Sequence, residues 1–306
     1  MRHQRFLRYV DEVARAGSIR KAADILHVTP SALNRRIMDL EEEIGAPIFE
    51  RHSRGVHLTS SGEIFVHSLR QQLADSQRML SQIEDLKGLR RGHVRIACSQ
   101  ALAHGLMPEV ITHFRRSYPL VTFNVLALDH ERAMQALEAY EVDLIAVFKP
   151  MLSRNFSRLL TIKQRLVALV AKSHPLARAR SVRLSDCVAY PLALPGHSLG
   201  GRQLLDEAFA RARLTVTPAI ESNSFEFLMG CVAASGAISF QIEVGSHPIY
   251  LAGMGVAPVP INNRDVPSAD LVLGQFRERS LPVAVAKFCE ELADSLRKMR
   301  FPAPSG

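Results

Sequence analysis

The hydrophobic period of this chain changes once, and that change limits what it can fold into. Up to about Leu86 the apolar residues recur at helical spacing. At His93-Val94-Arg95-Ile96-Ala97-Cys98 they alternate and then turn apolar, as in a strand entering a core, and strands and helices follow in turn. A helical N-terminal part and an α/β C-terminal part follow from this. Between them Gly88 and Arg90-Arg91-Gly92 read as a basic, glycine-bearing hinge. A chain of 306 residues has room for two or three such domains.

Within the helical part the most informative stretch is Ser18 to Ile37. Ile19, Ala22, Ala23 and Leu26 form one buried stripe, and Ser18 stands before it as an N-cap. His27-Val28-Thr29 breaks the period. Thr29 can cap a second helix with Pro30 at its first position, where a missing N–H costs nothing. Leu33, Ile37, Leu40 and Ile44 make the second stripe, and Gly45 is placed to end it. Ser31, Asn34, Arg35 and Arg36 are left facing outward. That layout is a DNA-reading helix-turn-helix; the alternative is a surface helical hairpin with a solvated basic face. A preceding helix over 3–15, with Phe6, Leu7, Val10, Val13 and Ala14 inward, gives the pair something to pack on. Between Arg15 and Ile37 five basic residues (Arg15, Arg20, Lys21, Arg35, Arg36) face one acid, Asp24, in a chain of net charge +8. The balance suits a polyanion partner.

After Pro47-Ile48-Phe49 the polar turn around Gly55 reads as a small β-hairpin. Arg51, Arg54 and His57 would make it a wing able to touch phosphates or a minor groove. Ser60-Ser61-Gly62-Glu63 fits a capping box. The helix that follows carries Phe65, Leu69, Leu73, Leu80 and Ile83 as an approximate coiled-coil seam, with Ser76 in the missing slot. At 1.5 Å per residue it is a rod of roughly 37 Å. Such a rod cannot bury its stripe inside a small N-terminal domain and reads as a dimerisation helix; the alternative is a linker lying on its own C-terminal domain.

Beyond the hinge the spacing predicts a strand over 93–98 and a helix from Ala101 to about Tyr118. A strand over 121–128, a helix over 130–140 and a strand over 142–147 come next. A second α/β unit follows: strands over 165–171 and 191–194, then a glycine-rich loop over 195–201 leading into a helix to about Arg213. Strand 219–222, helix 225–234 and strand 237–240 complete it. A late strand over 271–276 and a helix over 282–299 close the fold. Two such units crossed by a few strands make a hinged pair with a cleft. Ligands in open α/β sheets sit at strand carboxyl ends near helix N-termini. Cys98-Ser99-Gln100, Asp129 and the loop over 196–201 are therefore the candidate site, each of them alternatively a plain cap or loop.

Several function classes are excluded. Cys98, Cys187, Cys231 and Cys289 are widely spaced, so a zinc site or a disulfide framework is not expected. Each reads as a small buried hydrophobe. No P-loop, dinucleotide fingerprint, H-E-x-x-H or G-x-S-x-G occurs, so no catalytic residue, metal or cofactor is expected. No apolar run approaches a membrane span and no signal-peptide core is present, which places the chain in the cytoplasm. The same observation argues against a solute-binding protein carrying an accessory helical domain.

The chain resembles the LysR-type transcriptional regulators over nearly its whole length. The residues that carry the resemblance run from Gly17 to Ile37, then Leu40-Glu41, Glu43 to Arg51, Leu58-Thr59 and Gly62. Ser173-His174-Pro175-Leu176-Ala177, Leu184-Ser185-Asp186, Tyr190-Pro191 and Glu221 to Ser224 carry it in the second half. The resemblance implies a winged helix-turn-helix over 1–60, a linker helix and hinge over 61–91, and an effector domain over 92–306. That domain would be shaped like a type 2 periplasmic binding protein, with subdomain 1 over 92–161 and 266–306 and subdomain 2 over 162–265. It also implies dimers through the linker helix, tetramers on inverted-repeat operators, contact with RNA polymerase, and a small-molecule effector, often a carboxylate. Carried over by position, Ser18, Arg20, Lys21, Thr29, Pro30, Ser31, Ala32, Asn34, Arg35, Arg36, Arg51 and Arg54 would meet DNA. Ser99, Gln100, Ala101, Asp129 and Phe148 would line the cleft from one side, and Ser198, Leu199, Gly200 and Asn223 from the other. The chain departs from the family pattern at Pro30 (often Gln), Asn34 (usually Ser), Ser235-Gly236-Ala237 (usually Gly-x-Gly) and Gln241 (usually Pro). Cys187 and Cys231 do not occupy the positions of the family's peroxide-sensing cysteine pair.

Overall fold

A computed structural model describes residues 2–53, 55–86, 91–150, 154–277 and 279–299. Backbone contacts divide the chain into two units, Met1–Ile83 and Glu84–Gly306. The first unit holds α1 (Arg2–Ala16), α2 (Ile19–Leu26), α3 (Pro30–Ile44), the hairpin β1 (Phe49–His52) and β2 (Gly55–Leu58), and all but the last turn of α4 (Ser60–Leu86). The expected caps form. The Ser18 hydroxyl accepts from the Lys21 N–H at 3.4 Å and the Thr29 hydroxyl from the Ala32 N–H at 3.3 Å. His27 and Gly45 end α2 and α3 in left-handed conformation. Leu33, Ile37 and Leu40 are buried with Val10, Val13, Ala22 and Ala23. Phe6 lies outside the residues whose side chains are described. Ile44, expected in the same stripe, is 41% exposed. The last turn of α3 is instead held by Glu41, whose carboxylate accepts from the N–H groups of Ile48 and Phe49 at 2.7 and 3.0 Å.

The hairpin is antiparallel and seats on the turn before α2, where the Val56 N–H donates to the Gly17 carbonyl at 2.9 Å. A Cβ on Gly55 would stand 2.3 Å from that same oxygen, so only glycine fits. At the start of α4 the cap is Thr59, not Ser60. Its hydroxyl accepts from the Gly62 N–H at 2.9 Å and donates to the Pro47 carbonyl at 2.6 Å. Thr59 prevails because it caps the helix and fastens it to the hairpin at once. The α4 stripe is also corrected. Val66 and Leu69 are buried in the first unit's core, with Phe65 and Leu73 packed against it, while Met79, Leu80 and Ile83 are exposed. Only the far half of the rod lacks cover.

In the second unit the chain runs β3 (Gly92–Cys98), α5 (Gln100–His104), α6 (Leu106–Ser117), β4 (Val121–Ala127), α7 (His130–Glu138), β5 (Leu144–Phe148) and β6 (Phe156–Gln164). It continues with β7 (Leu166–Ala171), α8 (Leu184–Cys187), β8 (Ala193–Pro195), α9 (Gly200–Arg211), β9 (Ile220–Ser222), α10 (Phe225–Ser235) and β10 (Ser239–Ile242). It ends with β11 (Val256–Pro260), β12 (Ala269–Phe276) and α11 (Val283–Lys298). One sheet has the order β4-β3-β5-β12-β6, with β3 parallel to β4 and β5 and β12 antiparallel to both neighbours. The other has the antiparallel order β10-β7-β11, accompanied by the parallel pair β8-β9. The chain crosses from one sheet to the other at Arg165 and returns between β11 and β12. The first crossing is pinned: Arg165 donates to the buried Glu243 carboxylate at 2.7 Å, and the Val244 N–H donates to Gln164 at 2.8 Å.

Three expectations fail for local reasons. The helix over 101–118 breaks at Gly105, whose backbone leaves the helical region at φ −112° and ψ −83°, and the Tyr250 ring packs 2.3 Å from where a Cβ would stand. Strands β6 and β11 were not expected. β6 is an edge strand with a broken burial alternation, and β11 carries two prolines, which edge strands tolerate. β10 begins two residues later than expected, at Ser239. His174 of the second-half motif has a structural role: its Nδ1 accepts from the Leu176 N–H at 3.1 Å and its ring meets Tyr190. Desolvation lowers its pKa, which keeps it neutral. The hinge residues Gly88 and Arg90 lie outside the described residues.

A buried charge cluster fixes the first sheet. Asp143, 2% exposed, accepts from Arg95 at 2.8 Å and from the buried Arg279 at 2.6 Å. Removing the carboxylate leaves two guanidinium groups facing each other in a low dielectric, so Asp143→Ala is expected to cost about 3–5 kcal/mol in urea unfolding. Cys98 and Cys187 are pushed up to about 12 and Cys289 to about 11, chiefly by burial. The unfolded chain ionises these thiols first. Their contribution to stability is thus present below about pH 9 and is lost as pH rises toward 12. In a thiol titration of the native protein at pH 8, no more than one equivalent, from half-buried Cys231, is expected to react, against four after unfolding.

Candidate nucleic-acid interface and ligand cleft

On the first unit Arg20, Lys21, Thr29, Pro30, Ser31, Ala32, Arg35, Arg36 and Arg51 are exposed, and Ser18 and Asn34 are half-buried. Arg54 lies outside the described residues. Ser18 uses its hydroxyl as a cap, which leaves its outer face for contact. Thr29 and Ser31 share a hydroxyl–hydroxyl hydrogen bond of 3.3 Å at the start of α3. Arg36 lies over the Tyr9 ring, 5.2 Å from its centroid, so its guanidinium is steadied without losing charge. Among the described residues no acid pairs with Arg20, Lys21, Arg35 or Arg36. A helix whose first turns show hydroxyls and unpaired cations, backed by a hairpin bearing another arginine, can enter a groove and bind phosphates on either side.

In the second unit a cavity of about 40 Å³ lies between the two sheets. Four helices begin on it: α5 at Gln100 and Ala101, α7 at His130, α9 at Gly200 and Gly201, and α10 at Phe225. Asp129 and Ser224 cap α7 and α10. Neither α5 nor α9 has a side-chain cap, so their first N–H groups must be satisfied from outside the helix. Two side-chain atoms in the lining are buried without a hydrogen-bond partner, Ser99 Oγ and His130 Nδ1. Phe148, Leu166, Phe225 and Phe240 stand in the apolar wall, and among the described residues no lysine or arginine lines it. A much larger groove, about 1010 Å³, runs along α6 and the end of α11, but it is open to solvent and gathers no comparable set of helix ends.

The two halves of the second unit touch closely across the cavity. Gln100 reaches from the first half to the second: its amide donates to the Asn223 carbonyl, and its oxygen accepts from the Phe225 N–H at 3.1 Å. Lys149 pairs with Glu207 at 2.5 Å, and the Tyr250 hydroxyl donates to Glu109 at 2.9 Å. A Cβ on Gly200 would stand 2.7 Å from the Phe148 carbonyl oxygen, and one on Gly245 would stand 2.7 Å from the Ala101 Cβ. Arg202, 5% exposed, sets the loop that leads into α9. It donates to the Pro195 carbonyl, Glu221 and Asp206 at 2.8 Å each and to His197 at 3.0 Å. Arg202 stays fully charged, and its hydrogen bond and charge pull the Glu221 carboxyl below the ordinary range.

The structure brings Ser99, Gln100, Ala101, Asp129, Phe148, Leu199 and Gly200 together around this cavity. Ser198 and Asn223 depart from expectation. Both side chains are outside the lining, and Asn223 contributes only its carbonyl to Gln100. Gln100 departs too, because its amide joins the halves instead of standing free. Sequence reasoning missed His130, Phe225, Leu166 and the β10 end at Gln241 and Ile242. His130 follows a strand and opens a helix, the same signal that singled out Ser99. Gln241 and Ile242 were hidden by placing that strand two residues early.

Comparison with known proteins agrees with this geometry. Residues 4–63 match the bacterial regulatory helix-turn-helix protein, lysR family, and residues 87–297 match the LysR substrate binding domain. The chain is 30% identical over 242 residues to the transcriptional dual regulator GltC of Bacillus subtilis, covering 78% of this chain and 80% of that protein. It shares its fold with full-length CbnR complexed with target DNA, at a TM-score of 0.65 and 20% identity over 95% of this chain and 99% of that one. The effector binding domain of QuiR in complex with shikimate superposes at a TM-score of 0.57 and 21% identity, covering 68% of this chain and 98% of that one. A helix-turn-helix unit followed by a two-sheet cleft, matched along both parts, makes this chain a member of the LysR family of DNA-binding transcriptional regulators with an effector-binding domain.

Proposed function

We propose that the cleft takes a small organic acid and that its occupancy changes how paired first units hold an inverted-repeat operator. The observation that carries the ligand reading is the pair of unpartnered buried atoms, Ser99 Oγ and His130 Nδ1, where four helices begin. The N-termini of α7, α9 and α10 each carry about half a positive charge, which favours an anion, and among the described residues Asp129 is the one acid in the lining. The phenylalanine wall suits the hydrocarbon part. The QuiR domain in complex with shikimate supports a ligand of this kind. A space of about 40 Å³ holds a few waters at most, so the halves part to admit a metabolite and close around it. A ligand that binds one degree of closure better shifts the population toward it, and only by that difference in affinity.

The apolar far half of α4, with Met79, Leu80 and Ile83 exposed, is covered by a second copy in a homodimer. Dimers pair as tetramers, act on cytoplasmic DNA and contact RNA polymerase. The named DNA residues of α2, α3 and the hairpin meet the operator, and the named cleft residues meet the effector.

The test of the ligand reading is a thermal-shift screen of small organic acids on the purified protein, since a ligand of the folded state raises its stability. An acid that stabilises the wild type is expected to lose most of its shift in Ser99→Ala and in His130→Ala, with ligand-free DNA affinity unchanged. Equal shifts in all three proteins contradict the site. Gly200→Ala is expected to reduce the same shift, because the added Cβ drives the start of α9 away from Phe148. For the DNA reading, Arg35→Ala is expected to weaken binding at least tenfold. It should also lower the slope of log K against log salt by about 0.9, measured by anisotropy on a duplex selected from a random pool.

A further inference from the structure

We propose that Asn34 acts in DNA recognition as a positioning residue: its carboxamide draws Arg51 from the hairpin onto the reading face of α3 and leaves that guanidinium charged for DNA. The proposal rests on the reading of α3 as the groove-facing helix. Asn34, Met38 and Glu41 lie at i, i+4 and i+7, one line along α3. Glu41 ties that line to the root of the hairpin through the Ile48 and Phe49 N–H groups. Asn34 ties it again farther out, where Arg51 donates to Asn34 Oδ1 at 2.8 Å. In β1, Arg51 stands on the same face as Phe49, the strand's buried residue, because side chains two apart share a face. Its side chain therefore runs toward α3, while Glu50 and His52, 3.7 Å apart, share the opposite face.

Two chemical consequences follow. Asn34 uses one lone pair on Arg51 and one N–H on the Met38 sulfur, at 2.8 and 3.6 Å. With its Oδ1 turned to that guanidinium, Asn34 acts through Arg51. A neutral carboxamide also holds the arginine without cancelling its charge, as a carboxylate would. Arg51 keeps donors free for a phosphate or a guanine edge beside Ser31 and Arg35.

The experiment is a double-mutant cycle by fluorescence anisotropy, with the full chain on a duplex that the wild type selects from a random pool, between about 50 and 300 mM salt. Arg51→Ala is expected to weaken binding tenfold or more and to lower the salt slope by about 0.9. Asn34→Ala is expected to weaken binding about fivefold in the wild-type background and less than about twofold in the Arg51→Ala background. Asn34→Asp, which keeps the acceptor but neutralises Arg51, is expected to weaken binding more than Asn34→Ala. Arg51 is exposed and Asn34 half-buried, and unchanged melting curves verify that the variants fold. An equal loss from Asn34→Ala in both backgrounds overturns the proposal, as does an unchanged salt slope in Arg51→Ala. An Arg35→Ala protein that binds like the wild type overturns the reading of α3 and the proposal with it.

Discussion

The carboxamide of Gln100 joins the two halves of the ligand-binding unit through main-chain groups. It gives a donor to Asn223 and an acceptor to Phe225, both at the mouth of α10. Much of the cleft follows from that bridge. With Gln100 engaged, the polar end of the cavity falls to Ser99 and His130. The halves approach until Gly200 meets the Phe148 carbonyl and Gly245 meets Ala101, contacts that no larger residue allows. A contact made of side chain to main chain is indifferent to the identity of residues 223 and 225. That is why Asn223, singled out by its side chain, takes part only through its carbonyl.

The DNA-binding unit is assembled differently, by a chain of caps and polar ties laid over a small apolar core. Ser18 and Thr29 start the two helices of the motif, and Gly45 stops the second. Glu41 and Thr59 then fasten the hairpin from both of its ends. Each tie contributes about 1 kcal/mol, less than the core, but each fixes a direction. The outcome is a fixed angle between α3 and the hairpin, which places their cations on one surface. The α4 helix divides its duties: its first turns complete this core, and its far half presents an apolar line.

The parts legible in the sequence are those set by local chemistry. Caps at Ser18, Thr29 and Gly45, the proline at the head of α3 and the stripes of α1 to α3 all depend on residues a few positions apart. Strand ends that open helices marked Ser99 and Asp129 for the same reason. What the sequence did not disclose depends on residues far apart in the chain. The room for the Tyr250 ring at Gly105, the burial of half of α4 by a core built from α1 to α3, and the engagement of Gln100 by a carbonyl more than a hundred residues away are all of this kind. β11 was hidden because its prolines are tolerated only at a sheet edge, and position in a sheet is a tertiary fact. His130 carries the strand-end signal that marked Ser99, but that its Nδ1 lacks a partner depends on the surrounding packing.

The cleft lies between two half-domains that Gln100 joins. Amide hydrogen exchange tests it most directly, since the Phe225 N–H donates to that one side chain. Gln100→Ala is expected to speed exchange at Phe225 by at least about tenfold, together with faster exchange at the start of α9, while the strands of the first sheet keep their protection. Exchange at Phe225 that is unchanged by the substitution would contradict it.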